Sequence, residues 1–182
     1  MPTPQTPAQP PPQPPPQPAG PAIHAGHVAL REITAETVIS VLKLRVQAAQ
    51  ENFVASNAVS LAQALFAPQA WYRAITLDET PVGFVMLEDD TLLPVPPPKP
   101  SIGVWRLMVD ARVQGQGVGR AALRLVIAQV CARQVFGRLT LSYVPGQGCP
   151  EPFYRALGFV PTGVLHGQEV ELALALDGAV AP

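Results

Sequence analysis

A mixed α/β fold is predicted for most of this chain. Three observations predict it. Short alternating or continuously apolar segments are interspersed with segments of helical period. Two strand patterns, WYRAITL and VGFVMLE, flank the turn DETP and so form a hairpin. A nearly continuous apolar strand, IGVWRLMVD at 102–110, leads through Gly115, Gly117 and Gly119 into the longest amphipathic stretch of the chain.

The elements follow in order. HVALREI supplies a first strand from His27. Thr34 is placed to cap a helix over AETVISVLKLRVQAAQ, with Glu36 near its positive end and Val38, Val41, Leu42 and Val46 at helical spacing. Ser60 starts a second, shorter helix, SLAQALF, which Pro68 stops. The hairpin comes next. DDTLLPVPPPKPS is a loop, because clustered prolines cannot sustain a hydrogen-bonded ladder. After the central strand and the glycines, a helix runs from Val118 to about Gln134. GRLTLSYV is a strand, PGQG a loop, and PEPFYRAL a short helix that opens on Pro150 and ends at Gly158. FVPTGVL and EVELALAL are two closing strands around the turn HGQ.

Composition bounds the function. The first 21 residues are about half proline, so residues 1–26 read as an extended, solvated tail and residues 27–178 as the folded domain. Its recurring P-x-x-P also fits a ligand for proline-binding modules. A formal net charge of −1 carries no basic footprint for nucleic acid. No run is long and apolar enough for a membrane span, and no secretory signal is recognisable, so a cytoplasmic protein is expected. Cys131 and Cys149 have no metal-ligand spacing, and His24-x-x-His27 lacks further ligands, so no metal is expected. His166 reads as a turn residue.

The alternating glycines stand at the mouth of a helix. A helix start leaves unpaired N–H groups and a partial positive charge, and glycine lets an anion approach that backbone closely. A pyrophosphate is the natural ligand for such a place. A P-loop is excluded, because no Lys-Ser/Thr follows Gly115 at the required spacing. The dinucleotide pattern G-x-G-x-x-G survives only as a variant ending on Ala122, and the acidic residue it wants about 20 positions on is Leu139.

The third pattern is Q-x-x-G-x-G at Gln114, Gly117 and Gly119. With LMVD before it and FYRALGF after its helix, this segment resembles the GNAT acetyltransferase superfamily, and the element order is similar over nearly everything after residue 28. The resemblance implies a central, mostly antiparallel twisted sheet flanked by helices. Two parallel strands splay apart in it at the acetyl-CoA site. It implies that backbone groups of Leu107, Met108 and Val109 line the pantetheine arm, and that Gln114, Gly115, Gln116, Gly117, Val118, Gly119 and Arg120 hold the pyrophosphate. It implies that Tyr154 protonates the departing thiolate as general acid. An asparagine common in relatives is replaced here by Gln147, which takes the corresponding cofactor-binding position. The glutamate many relatives carry on the central strand is also missing, with Trp105 and Arg106 in that region, so no base is assigned there.

The acceptor side is read from a narrower resemblance. QENFVASNAVSLAQA, GFVML, WRLMVD and LSYVPG are similar to the small-polyamine acetyltransferases. Glu51 and the trio Glu88, Asp89 and Asp90 supply negative charge that would attract a polycation, and Trp71 or Tyr72 could line its apolar stem. Glu51, Trp71 and Glu88 are therefore the expected acceptor-binding residues, and Glu51 is also the candidate to deprotonate the amine. A different amine (a protein N-terminus, an amino acid or an aminoglycoside) and a non-catalytic acyl-CoA-binding regulatory module are the alternatives. Exposed strand edges would permit a homodimer.

Overall fold

The computed structural model describes residues 26–176. Residues 1–25, which include most of the proline-rich tail and His24, lie outside the described residues, as do residues 177 and 178.

Seven strands form one sheet in the order β1-β2-β3-β4-β5-β7-β6. Strands β1 (Val28–Arg31), β2 (Ala70–Leu77), β3 (Thr80–Asp89) and β4 (Ile102–Val109) form a consecutive antiparallel run. Strand β5 (Arg138–Tyr143) lies parallel to β4. The closing hairpin, β6 (Val160–His166) and β7 (Glu169–Ala175), pairs antiparallel to β5 through β7. The turn between β2 and β3 puts Asp78 and Glu79 at φ 48° and 63°, the left-handed pair that a two-residue hairpin needs to match strand twist.

The helices divide the sheet into two faces. Helix α3 (Val118–Ala132) packs Leu123, Val126 and Val130 against Ile75, Val85, Leu87 and Val104. On the opposite face, α1 (Val38–Lys43) and α2 (Asn57–Ala64) lie over a second cluster, in which Val41 and Leu44 meet Phe84, Met86 and Met108. The strand period of two sorts each side chain to one core or the other. The sheet face bearing Thr140, Ser142, Glu169 and Glu171 continues the α1/α2 side, but the second cluster ends at β4.

The first helix is shorter than its apolar spacing predicts. A single helix over 35–50 is expected; α1 stops at Lys43, and Leu44 turns extended at ψ 141°. Tertiary contacts explain the break. The Arg45 N–H donates to Asp110 Oδ2 at 3.2 Å, and its carbonyl accepts from the Ala111 N–H at 2.8 Å. The loop after β4 thus captures two backbone groups that a continuing helix would have used. Thr34 does not cap α1 either: the cap position is Thr37, and the Thr34 carbonyl closes the preceding turn onto the N–H groups of Thr37 and Val38. Helix α2 begins earlier than Ser60, because the Ser56 side chain accepts from the Val59 N–H at 3.3 Å and caps it.

Candidate active site

The parallel strands β4 and β5 pair at only two positions, Gly103 with Thr140 and Val104 with Leu141. Beyond them the strands part. A bulge coincides with the parting: Met86 of β3 opposes Arg106, while Leu87 opposes Val104, leaving Trp105 as the extra residue. A bulge bends its strand away from the regular ladder. The result is a cleft of about 1340 Å³ that passes through the splay.

One mouth of the cleft is the start of α3. Gly115 and Gly117 have φ of 77° and 85°, which L side chains rarely adopt, and Gly117 occupies the N-cap with no side-chain cap and no acidic residue in the first turn. The first N–H groups of α3 are therefore left without helical partners. A Cβ on Gly119 would meet Val109 and Phe153 no closer than 3.4 Å, so protein packing tolerates more than glycine there. Gln114 holds the loop in place: its Nε2 donates to the Val109 carbonyl at 2.9 Å and to Gln50 Oε1 at 2.8 Å. Loop conformation, an uncapped dipole and the nearby Arg120 together fit an anionic diphosphate.

Tyr154 enters the cleft from α4 (Glu151–Arg155). The two prolines in PEPFYRAL are compatible with this helix because they occupy its cap and first turn. The ring of Tyr154 is 8% exposed and packs edge-on against Phe153 and Phe159, at centroid distances of 5.2 and 6.0 Å. Burial pushes its phenol up to about 12, so it stays protonated at neutral pH. Tyr143, at the end of β5, also lines the cleft; its bond to the Glu151 carboxylate, with burial, pushes it up to about 12.

The other mouth opens on the sheet face that α1 and α2 leave free. Arg106, Ser142, His166, Glu169 and Glu171 line it with Glu88, and Glu51, next to the Gln50 that bonds Gln114, lines the same cleft from the connection between α1 and α2. Ser142 Oγ donates to Glu169 Oε2. His166 Nε2 lies 2.9 Å from Glu171 Oε2, and this bond holds the Glu171 carboxyl below its ordinary value. Arg106 donates to the Trp105 carbonyl and to Gln63 Oε1, while its Nε is buried without a partner among the described residues. Burial lowers the Arg106 pKa, against the pull of Glu169.

Most residues expected at the site from sequence share this cleft: Glu51, Glu88, Leu107, Met108, Val109, Gln114, Gly115, Gly117, Val118, Gly119, Arg120 and Tyr154. Trp71, Gln116 and Gln147 do not. Trp71 lies on the α3 face, its ring under the Arg73 guanidinium at 4.7 Å, because strand alternation turns it away from the acceptor side. Gln116 donates back to the Arg112 carbonyl, and Gln147 is exposed in the loop before α4. Tyr72, the alternative to Trp71, has the correct parity but stacks on Phe84 in the second core. Asp89 and Asp90 are likewise committed elsewhere: Asp89 is buried and paired with Arg133 at 2.5 Å, and Asp90 accepts from Ser101. The sequence reading missed Ser142, Tyr143, His166, Glu169 and Glu171. EVELALAL does place Glu169 and Glu171 on one face of a strand, which was the available signal.

A family model described as acetyltransferase (GNAT) family matches residues 39–159. Among solved structures, the ribosomal-protein-S18-alanine N-acetyltransferase from Escherichia coli aligns with a TM-score of 0.59 at 16% identity, covering 82% of this chain and 94% of that one. An acetyltransferase from Thermus thermophilus aligns with a TM-score of 0.57 at 16% identity, covering 81% and 96%. The AtaT toxin bound to the C-terminus of its antitoxin AtaR and acetyl-CoA aligns with a TM-score of 0.59 at 16% identity, covering 82% and 94%. No curated protein matches this chain. Among the described residues no helix is long and apolar enough to cross a membrane.

Proposed function

The chain belongs to the GNAT acetyltransferase family, and from that premise we propose that it transfers acetyl from acetyl-CoA to a primary amine of a small polyamine such as spermidine or spermine. The observation that carries the reading is the single cleft through the β4–β5 splay. It joins an uncapped helix start on one side to a carboxylate-rich sheet face on the other. The first N–H groups of α3 and Arg120 would bind the diphosphate. Backbone groups of Leu107, Met108 and Val109, unpaired with β5, would take the pantetheine arm as an added strand.

Transfer needs a neutral amine, a held carbonyl and a proton for the departing sulfur. A primary alkylamine of pKa near 10 costs about 4 kcal/mol to deprotonate at pH 7. Tyr154 is the proton donor in this reading, its phenol kept neutral by burial. Glu51, Glu88, Glu169 and Glu171 give the acceptor half of the cleft a negative surplus over Arg106, which suits a polycation.

The test is free-thiol release from acetyl-CoA with mass detection of product, over spermine, spermidine, putrescine, lysine, an aminoglycoside and N-terminal peptides. Turnover confined to the polyamines is the expected result. Turnover on another acceptor alone would replace the polyamine reading and keep the cofactor site. Tight acetyl-CoA binding with no turnover would favour a non-catalytic acyl-CoA-binding module.

A further inference from the structure

We propose that His166 is the general base of this reaction and that Glu171 positions it. The proposal rests on the acetyltransferase reading above and adds the group that takes the acceptor's proton. Neither Trp105 nor Arg106 of β4 can act as a carboxylate base. Of the carboxylates in the cleft, Glu169 is engaged by Ser142, Glu171 by His166 and Glu88 by Gln69, while Glu51 has no side-chain hydrogen bond among the described residues to orient it.

His166 has a different setting. It ends β6, lines the cleft, and its side chain is 56% exposed. Its partner is not exposed: the Glu171 side chain is 14% exposed, and its Oε1 is buried with no hydrogen-bond partner among the described residues. A buried carboxylate beside Nε2 favours the tautomer that carries its proton there, which leaves Nδ1 with a free lone pair. The other charges around the pair are Glu169, the register partner of His166, and Arg138, whose charge acts on Glu171. Arg106 acts in turn on Glu169.

The imidazole bonds across from β6 to β7, and β7 is the immediate neighbour of β5. With strands about 4.8 Å apart, the β6 backbone lies roughly 12 Å from the middle of the β4–β5 gap, and the ring, reaching toward β7, roughly 7–10 Å. That separation suits an acceptor amine whose proton reaches the ring through bridging water.

The proton balance is complete. Nδ1 of His166 takes one proton from the acceptor ammonium. The neutral nitrogen then forms the new C–N bond, and the thioester C–S bond breaks. Tyr154 gives a proton to the sulfur, and the second proton lost by the nitrogen returns to the Tyr154 oxygen. The first leaves His166 for water, so one proton is released per turnover.

The experiment compares kcat and the amine KM of wild type, His166→Gln and Glu171→Gln at saturating acetyl-CoA. Acetyl-CoA affinity is measured separately by calorimetry. The acceptor is whichever amine of the panel wild type acetylates fastest. His166→Gln should lower kcat about 10²–10⁴-fold with unchanged acetyl-CoA affinity. Glu171→Gln, which loses the anion that fixes the imidazole tautomer, should lower kcat about tenfold or more while the KM for the amine and the acetyl-CoA affinity stay unchanged, a split that a merely structural role would not give. With three histidines in the chain, the His166 imidazole signal can also be followed as the amine is added, and it should shift. A His166→Gln enzyme with wild-type kcat would overturn the base, and a Glu171→Gln enzyme with wild-type kcat, or with kcat and amine KM changed together, would overturn the positioning role. Wild type that acetylates no amine would instead refute the acetyl-transfer reading on which both depend.

Discussion

Replacing Tyr154 with phenylalanine separates packing from proton donation. The ring is buried among Phe153, Phe159 and the main core, and phenylalanine keeps those contacts. The phenol oxygen makes no hydrogen bond among the described residues, so its removal leaves no protein donor or acceptor unpaired. Stability should therefore change by less than about 1 kcal/mol. The chemical effect is of another size. Loss of a positioned acid costs about 10²–10⁴ in rate, or roughly 2.7–5.4 kcal/mol of barrier. The magnitude has an internal constraint. Full transfer from a phenol pushed up to about 12 to a thiolate of ordinary pKa, about 8.5, would be uphill by roughly 5 kcal/mol. The same desolvated pocket must raise the thiol as well, and Tyr154 acts while the C–S bond is breaking. Because its phenol remains protonated far above neutrality, wild type should show no alkaline loss of kcat from Tyr154 below about pH 11. The assay is steady-state kcat with denaturant unfolding of both proteins. Tyr154→Phe with kcat within about threefold of wild type, at equal stability, would refute the assignment and turn attention to Tyr143, whose phenol lines the same cleft.

Three further outcomes follow from the same geometry. Gly117→Val places a β-branched residue at φ 85°, which should cost at least about 1–2 kcal/mol of stability and raise the Michaelis constant for acetyl-CoA tenfold or more, as about 1.5–3 kcal/mol of charge-assisted bonding is disturbed; unchanged cofactor affinity would count against the phosphate loop. Asp110→Ala removes an acceptor shared by the N–H groups of Arg45 and Arg112 and by Arg112 Nε, and should cost about 1–3 kcal/mol in urea unfolding at pH 7. The Arg112 bond holds the Asp110 carboxyl below its ordinary value, so this contribution is present above about pH 4 and lost as pH falls through the lower folded value; the gap between variant and wild type should narrow in acid. Ser56→Ala deletes the cap of α2 and should lower stability by about 1 kcal/mol, with no change in acetyl-CoA affinity.

Sequence and structure divide the explanation along the range of the interactions involved. Period, turn chemistry and glycine placement are local, and they were legible: the β2–β3 hairpin, the apolar β4, the glycine loop and helix α3 all follow from residues within one window. The tyrosine of FYRALGF was singled out by the family resemblance, and it lines the cleft. Long-range capture was not. Helix α1 ends early because Asp110 and Ala111, some 65 positions on, claim the backbone of Arg45. Trp71 leaves the acceptor side because registry against β3 decides which face an odd or even residue takes, and a strand's own sequence is nearly indifferent to that choice. His166 looked like a turn residue and Glu171 like one half of an alternation. Only the pairing of β6 with β7, and of β7 with β5, brings imidazole, carboxylate and splayed strands into one cleft, because hydrogen-bonded ladders join residues by register and not by distance along the chain.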